Sequence, residues 1–417
     1  MRNVFDQYAQ AENRVTHALM SALCLDQKLL TSFLRELVRV RPPVPAQKLL
    51  VLEQRYPGED EHDEEQLQRR GIPDGWIYDE DSAWCVFIET KVTARLHAAQ
   101  VESHRRTAAR RGFRTVKAVV IVPRSPTALP ADVTALEWRT VYAWLKRHAA
   151  RSEWAARAAE YLEIAEARLV EKQTFVEGTL TMFAGIPFGS EHPYTYLEAK
   201  RLLKLAREEL RTMRDLQRTL GMNPAVDGRG MIKGRDADAV WDFLSLSHAS
   251  DAGKFTNYPH LTLNIASHAV EAMITIPHRV NTPVKRAIRA LGEDGIQRMV
   301  EQILRNLKPL LRSHKYATPW FRGIQRRYPS QSAPAFVDAR IDFDLRTAVP
   351  DGGLPKAQPN WLSAAFGSFA EKRGSNYQIQ LGVVFPYARC PELASPKALG
   401  LIANAWLGFK PLTDLWR

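Results

Sequence analysis

The stretch GIPDGWIYDEDSAWCVFIETKVTARLHAAQVESHRR, Gly71 to Arg106, decides how the first part of this chain is read. Trp76–Tyr78 and Trp84–Val92 carry strand signals, and the intervening Asp79-Glu80-Asp81-Ser82 is rich in turn formers. Side chains alternate along a strand, so Cys85, Phe87, Glu89 and Lys91 share one face while Trp84, Val86 and Ile88 share the other. Both faces are apolar up to position 89, which predicts a central strand buried on two sides. Ending such a strand on Glu89 and Lys91 is costly unless the charges are used. A hairpin return places Asp74 alongside Glu89. Two carboxylates beside one ammonium suit a divalent metal, Mg²⁺ above all, and hydrolytic phosphodiester chemistry.

Working outward, residues 11–40 read as an amphipathic helix with a break near Asp26, stopped by Pro42, Pro43 and Pro45. The acidic stretch 53–70 reads as a connecting loop or short exposed helix, and its run 59–65 as a solvated face. After the two strands come a helix from about Thr93 to Arg111 closed by Gly112, a buried strand 116–122, a short strand starting at Leu136 and Trp138, and a helix from Thr140. The order is that of a compact α/β domain. Residues 151–172 form a helix that closes this domain or leads out of it. A Gly/Pro-punctuated stretch and a helix over about 194–220 follow. Beyond Gly221 the predicted strands 260–265, 270–276, 335–346 and 377–385, with a helix at 283–312, make a second, α+β domain. The expected division is therefore 1–172, a helical linker region 173–220, and 221–417.

The Asp74/Glu89/Lys91 pattern resembles the PD-(D/E)xK nuclease superfamily, carried here by Pro73-Asp74 and, after fourteen intervening residues, Glu89-Thr90-Lys91. The resemblance covers about the first 150 residues and implies a restriction-endonuclease-like αβββαβ core with a mixed central sheet. It implies that Asp74 and Glu89 bind Mg²⁺ or Mn²⁺, that Lys91 acts at the nucleophilic water, and that Glu12 on the first helix is a further metal ligand. RecB-like members also carry a Gln on the following helix with a Tyr four residues on. Gln100 matches; His104 stands at the tyrosine position. His97 and His104, two turns apart, are poorly spaced for one ion and read as solvated or phosphate-facing.

Over the whole 417 residues, 58 Lys+Arg face 46 Asp+Glu, giving a net charge of +12 that favours anionic partners. Basic residues cluster at 95–117, with Arg105, Arg106 and Arg110, and at 283–331, with Lys315, Arg322, Arg326 and Arg327. Tyr316, Trp320, Phe321 and Tyr328 are interleaved with the second cluster, a pattern that suits a phosphate backbone with stacked bases, or else an amphipathic helix followed by a core-packing loop. Three scattered cysteines fit no disulfide framework or CxxC pair, and no apolar run reaches 18 residues. Both point to a cytoplasmic protein off the membrane. The expected activity is metal-dependent cleavage of nucleic acid, DNA before RNA, in the manner of prokaryotic defence or restriction proteins, with a homodimer left open. The alternative is a nuclease-like core that binds without cutting and works as an adaptor. The C-terminal domain could take a regulatory ligand, although Gly228-Arg229-Gly230 and Lys233-Gly234-Arg235 match no phosphate-binding loop.

Overall fold

The computed structural model describes residues 3–57, 72–126, 129–226, 238–246, 256–280, 282–327, 329, 336–350, 352, 358–371 and 377–416. The acidic run 59–65, the Gly228–Arg235 loop and Tyr328 lie outside them. Contacts divide the chain into Met1–Met182 and Phe183–Arg417.

In the first unit, α1 (Ala11–Leu25) ends at Asp26, an extended residue whose carboxylate accepts the Leu29 amide at 3.0 Å and so starts α2 (Gln27–Ser32). A π-helical turn, Phe33–Val38, closes on Arg39 in the left-handed region. The strands are β1 (Leu50–Glu53), β2 (Gly75–Asp79) and β3 (Trp84–Thr90), followed by α3 (Ala98–Arg110), β4 (Thr115–Val122) and β5 (Val133–Glu137). Two helices, α4 (Trp138–His148) and α5 (Glu153–Glu171), complete the unit.

The five-stranded sheet runs β1-β2-β3-β4-β5, antiparallel on the β1 side of β3 and parallel on the β4 side. Strand β3 is buried on both faces, as its sequence requires. Trp84, Val86 and Ile88 pack into the core formed with α1, α4 and α5, whereas Cys85 and Phe87 pack beneath α3 with Val101 and Ala108. Burying these faces removes large apolar area from water, at roughly 25 cal/mol per Å². A Cβ at Gly75 would lie 2.6 Å from Met20 Sδ, so α1 sits directly against the start of β2.

Two readings of this unit are corrected, and one strand escaped the sequence reading. Leu50–Glu53 is a strand, hidden in sequence by its shortness and the polar stretch after it. Trp138 opens a helix and does not extend a strand. The helix expected from Thr93 starts only at Ala98, because the amides of residues 92–94 are drawn away to Glu12.

The second unit opens with α6 (Tyr196–Leu210), which packs against β6 (Ala239–Ser245) and β7 (His260–Ala266) and is part of this unit's core. Then come β8 (Ala269–Ile276), α7 (Thr282–Ser313), β9 (Thr318–Arg327), β10 (Phe336–Asp344), α8 (Pro359–Glu371), β11 (Tyr377–Pro386) and α9 (Ala398–Gly408). The sheet is wholly antiparallel, ordered β10-β9-β11-β8-β7-β6. Strands β6 and β9 escaped the sequence reading, and α7 is bent at Gly292, where φ is 61°. Phe321, expected among base-stacking aromatics, is a core residue, fully buried against Phe343 and Phe366. Among the described residues no helix is long and apolar enough to cross a membrane. Of the three free thiols, Cys24 on α1 is exposed and Cys85 and Cys390 are buried.

Candidate active site

The β2–β3 register, Gly75 opposite Ile88, sets Asp74 beside the end of β3. Asp74 Oδ2 accepts the Thr90 amide at 2.7 Å and the Thr90 hydroxyl at 2.8 Å. Thr90 Oγ1 in turn lies 2.6 Å from Thr16 Oγ1 on α1. The middle residue of Glu89-Thr90-Lys91 thus positions the aspartate, a role that sequence reasoning missed.

Glu89 is 1% exposed. A carboxylate so buried must be matched by donors, and three are present. Lys91 Nζ donates to Oε1 at 2.7 Å, Gln100 Nε2 donates to the same oxygen at 2.5 Å, and His104 Nε2 lies 3.0 Å from Oε2. Gln100 and His104 come from α3, one turn apart, so both reach back to the strand beneath. His104 is wholly buried, with its ring edge-on to Phe87 and its Nδ1 without a partner among the described residues. It is neither solvated nor phosphate-facing, because Val101 and Ala108 turn its helix face inward. The i, i+4 spacing from Gln100 was the available signal.

Glu12, expected as a third metal ligand, spends Oε1 on the amides of Val92, Thr93 and Ala94, at 2.8, 2.9 and 3.0 Å. Burial would raise this carboxyl, but the three amides and nearby Lys91 hold it below its ordinary range. Just before that turn, the Lys91 amide donates to Ile121 O and its carbonyl accepts Trp138 Nε1, both at 2.9 Å. The backbone carrying the lysine is therefore fixed from three directions.

Asp74 has the opposite character to Glu12. Burial and the neighbouring Glu89 charge push its carboxyl up to about 6, despite the Thr90 hydrogen bonds. For Lys91, burial alone would lower the ammonium; Glu89 chiefly, then Asp74 and Glu12, raise it above its usual value. Lys91 is therefore a fixed cation at neutral pH.

The donor set is hard oxygen, which fits Mg²⁺ or Mn²⁺. Asp74 Oδ1 accepts no hydrogen bond among the described residues. Glu12, Asp74 and Glu89 do not bring three ligand atoms within 4.8 Å of one another; among the described residues only His314, Cys390 and Glu392 do so. A metal at this centre would thus rest on Asp74 and Glu89, with water or phosphate oxygens completing its shell, as suits Mg²⁺.

The basic residues divide into engaged and exposed. Arg105 pairs with Asp132 and lies 3.7 Å from Glu102, whereas Arg106 and Arg110 are exposed on α3. Arg322 pairs with Asp342 at 2.7 Å and Arg327 with Asp338 at 3.2 Å, while Lys315 is exposed. The chain matches no protein-family model, no curated protein and no solved structure.

Proposed function

We propose that the chain is a metal-dependent nuclease whose first unit hydrolyses phosphodiester bonds, in DNA before RNA. The observation that carries this reading is the convergence, at the carboxyl end of one buried strand, of Asp74, Glu89 and Lys91, with the Asp74 carboxyl raised by burial and then by Glu89. Two carboxylates forced together at burial have little structural value of their own, but they are what a divalent cation neutralises. The order helix, three strands, helix, strand supports the resemblance to the PD-(D/E)xK core.

Each residue then has a task. Asp74, set by Thr90, and Glu89, set by Gln100 and His104, hold the cation. A bound Mg²⁺ or Mn²⁺ supplies an acidified water and a counter-charge for the phosphate oxygen. Lys91 stays protonated, so its ammonium orients the attacking water and stabilises developing negative charge; it does not accept the proton. Glu12 holds the turn that carries Lys91. The exposed Arg106 and Arg110 offer charge to a strand backbone. A role in prokaryotic defence or restriction belongs to the same proposal.

The test is incubation of labelled plasmid, linear single-stranded DNA and RNA with the protein, with and without Mg²⁺ or Mn²⁺. Cleavage should need the metal, and Asp74→Ala, Glu89→Ala and Lys91→Ala should each lower its rate by roughly 10²-fold or more. Undiminished cleavage by all three variants would falsify the assignment. The three donors already satisfying Glu89 favour the second reading, an adaptor that binds without cutting; it predicts retained binding and no cleavage with either metal.

A further inference from the structure

The six-stranded sheet of the second unit has two unlike faces. Alternation sends Leu261, Leu263, Ile274 and Ile379 into the core beneath the helices, and Thr262, Asn264, Thr275 and Gln380 to the opposite side. A polar sheet face ordinarily stands in bulk water. Here Thr262 and Thr275 are only 3% and 6% exposed, because they floor a cavity of about 350 Å³. That volume falls at the small end of sites for small molecules, roughly 300–1,000 Å³.

The cavity's charges do not balance. Arg322 is matched: its Nε lies 2.7 Å from Asp342, its NH2 3.5 Å from Glu271, and its guanidinium 4.3 Å over the Trp320 ring. Arg340 also pairs with Asp342. Arg326, on the same face of β9, has no partner among the described residues, and neither has the Gln378 carboxamide on β11. Next along β11, Gln380 Nε2 donates to Thr275 Oγ1 at 3.4 Å, and that hydroxyl lies 2.8 Å from Thr262 Oγ1. This chain of bonds fixes the Gln380 amide and leaves its carbonyl oxygen to accept from something else. The Trp241 indole lines the same space.

We propose that this cavity is a binding site for a nucleoside phosphate. Arg326 meets the phosphate through charge-assisted hydrogen bonds. The Gln378 carboxamide presents a donor and an acceptor to the base edge, the Gln380 carbonyl oxygen adds a second acceptor, and the Trp241 indole stands in the same lining. The site stands independently of the nuclease reading, and its test measures binding and not cleavage.

Calorimetric titration of the full chain with ATP, GTP, AMP, GMP, inorganic phosphate and a short single-stranded oligonucleotide tests it. At least one mononucleotide should bind saturably, at one site per chain, and more tightly than inorganic phosphate. Arg326→Ala should weaken that binding at least tenfold, and Gln378→Leu should alter the preference between adenine and guanine nucleotides. Both variants should keep the wild-type melting temperature, since neither side chain has a described partner to lose. Failure of every mononucleotide to bind, binding of the oligonucleotide alone, or wild-type affinity in Arg326→Ala would each overturn the site.

Discussion

At the residue scale, Asp74 couples stability to pH in a direction unusual for an aspartate. Its folded carboxyl titrates near 6, above the ordinary 3.8, so ionising it opposes folding. The cost is complete above pH 6 and disappears as the pH falls toward 4, an effect on the order of 2–3 kcal/mol. Asp74→Asn, whose amide oxygen can still accept the Thr90 N–H, should therefore stabilise the metal-free protein at pH 8 and lose that advantage near pH 4. Thermal melts of the two proteins across this range check it; equal melting temperatures at pH 8 would refute the electrostatic account. By the same linkage, Mn²⁺ affinity should fall as pH drops through about 6, since a protonated Asp74 is a poor ligand. The motif residues were legible as a set because charge at the end of an apolar strand is conspicuous. His104 was not: a histidine amid arginines on a basic helix reads as solvent-facing until its helix is seen to turn that side to the core.

Among the elements, the turn between β3 and α3 shows most clearly what periodicity cannot reveal. Residues 93–97 continue a helical pattern in sequence but are not helical; a glutamate about eighty positions earlier captures the amides of residues 92–94. Such a long-range bond leaves no local trace. Glu12→Ala should cost about 1–3 kcal/mol and raise amide exchange at residues 92–94 well above that of β3, with Glu12→Gln restoring part of the protection. Unchanged exchange in the alanine variant would show that the turn holds itself. The edge and near-edge strands escaped for a different reason. Leu50–Glu53 is too short to show alternation, and Thr318–Arg327 mixes Arg, Gln and Gly into a strand whose polar face lines a cavity. Strand β3, by contrast, was readable because both of its faces meet core.

For the molecule as a whole, each unit owns its hydrophobic core: the clusters of the first unit end at Leu180 and that of the second begins at Phe183. Residues 1–182 should accordingly fold when expressed alone and melt cooperatively; a fragment lacking sharp melting would show that its stability comes from the rest of the chain. The uneven charge seen in sequence takes on a finer form here. Of the basic residues in 283–331, Arg322 and Arg327 are held in pairs with Asp342 and Asp338, so net charge overstates what those two offer a strand of nucleic acid. The sulfur chemistry is distributed just as unequally. With Cys85 and Cys390 shielded and their thiols pushed up to about 12 and about 11 by burial, native protein should react with one equivalent of a thiol reagent and unfolded protein with three. The wild-type chain therefore carries a natural attachment point for a single fluorophore or spin label, at a known place on α1, with no engineering of its other cysteines.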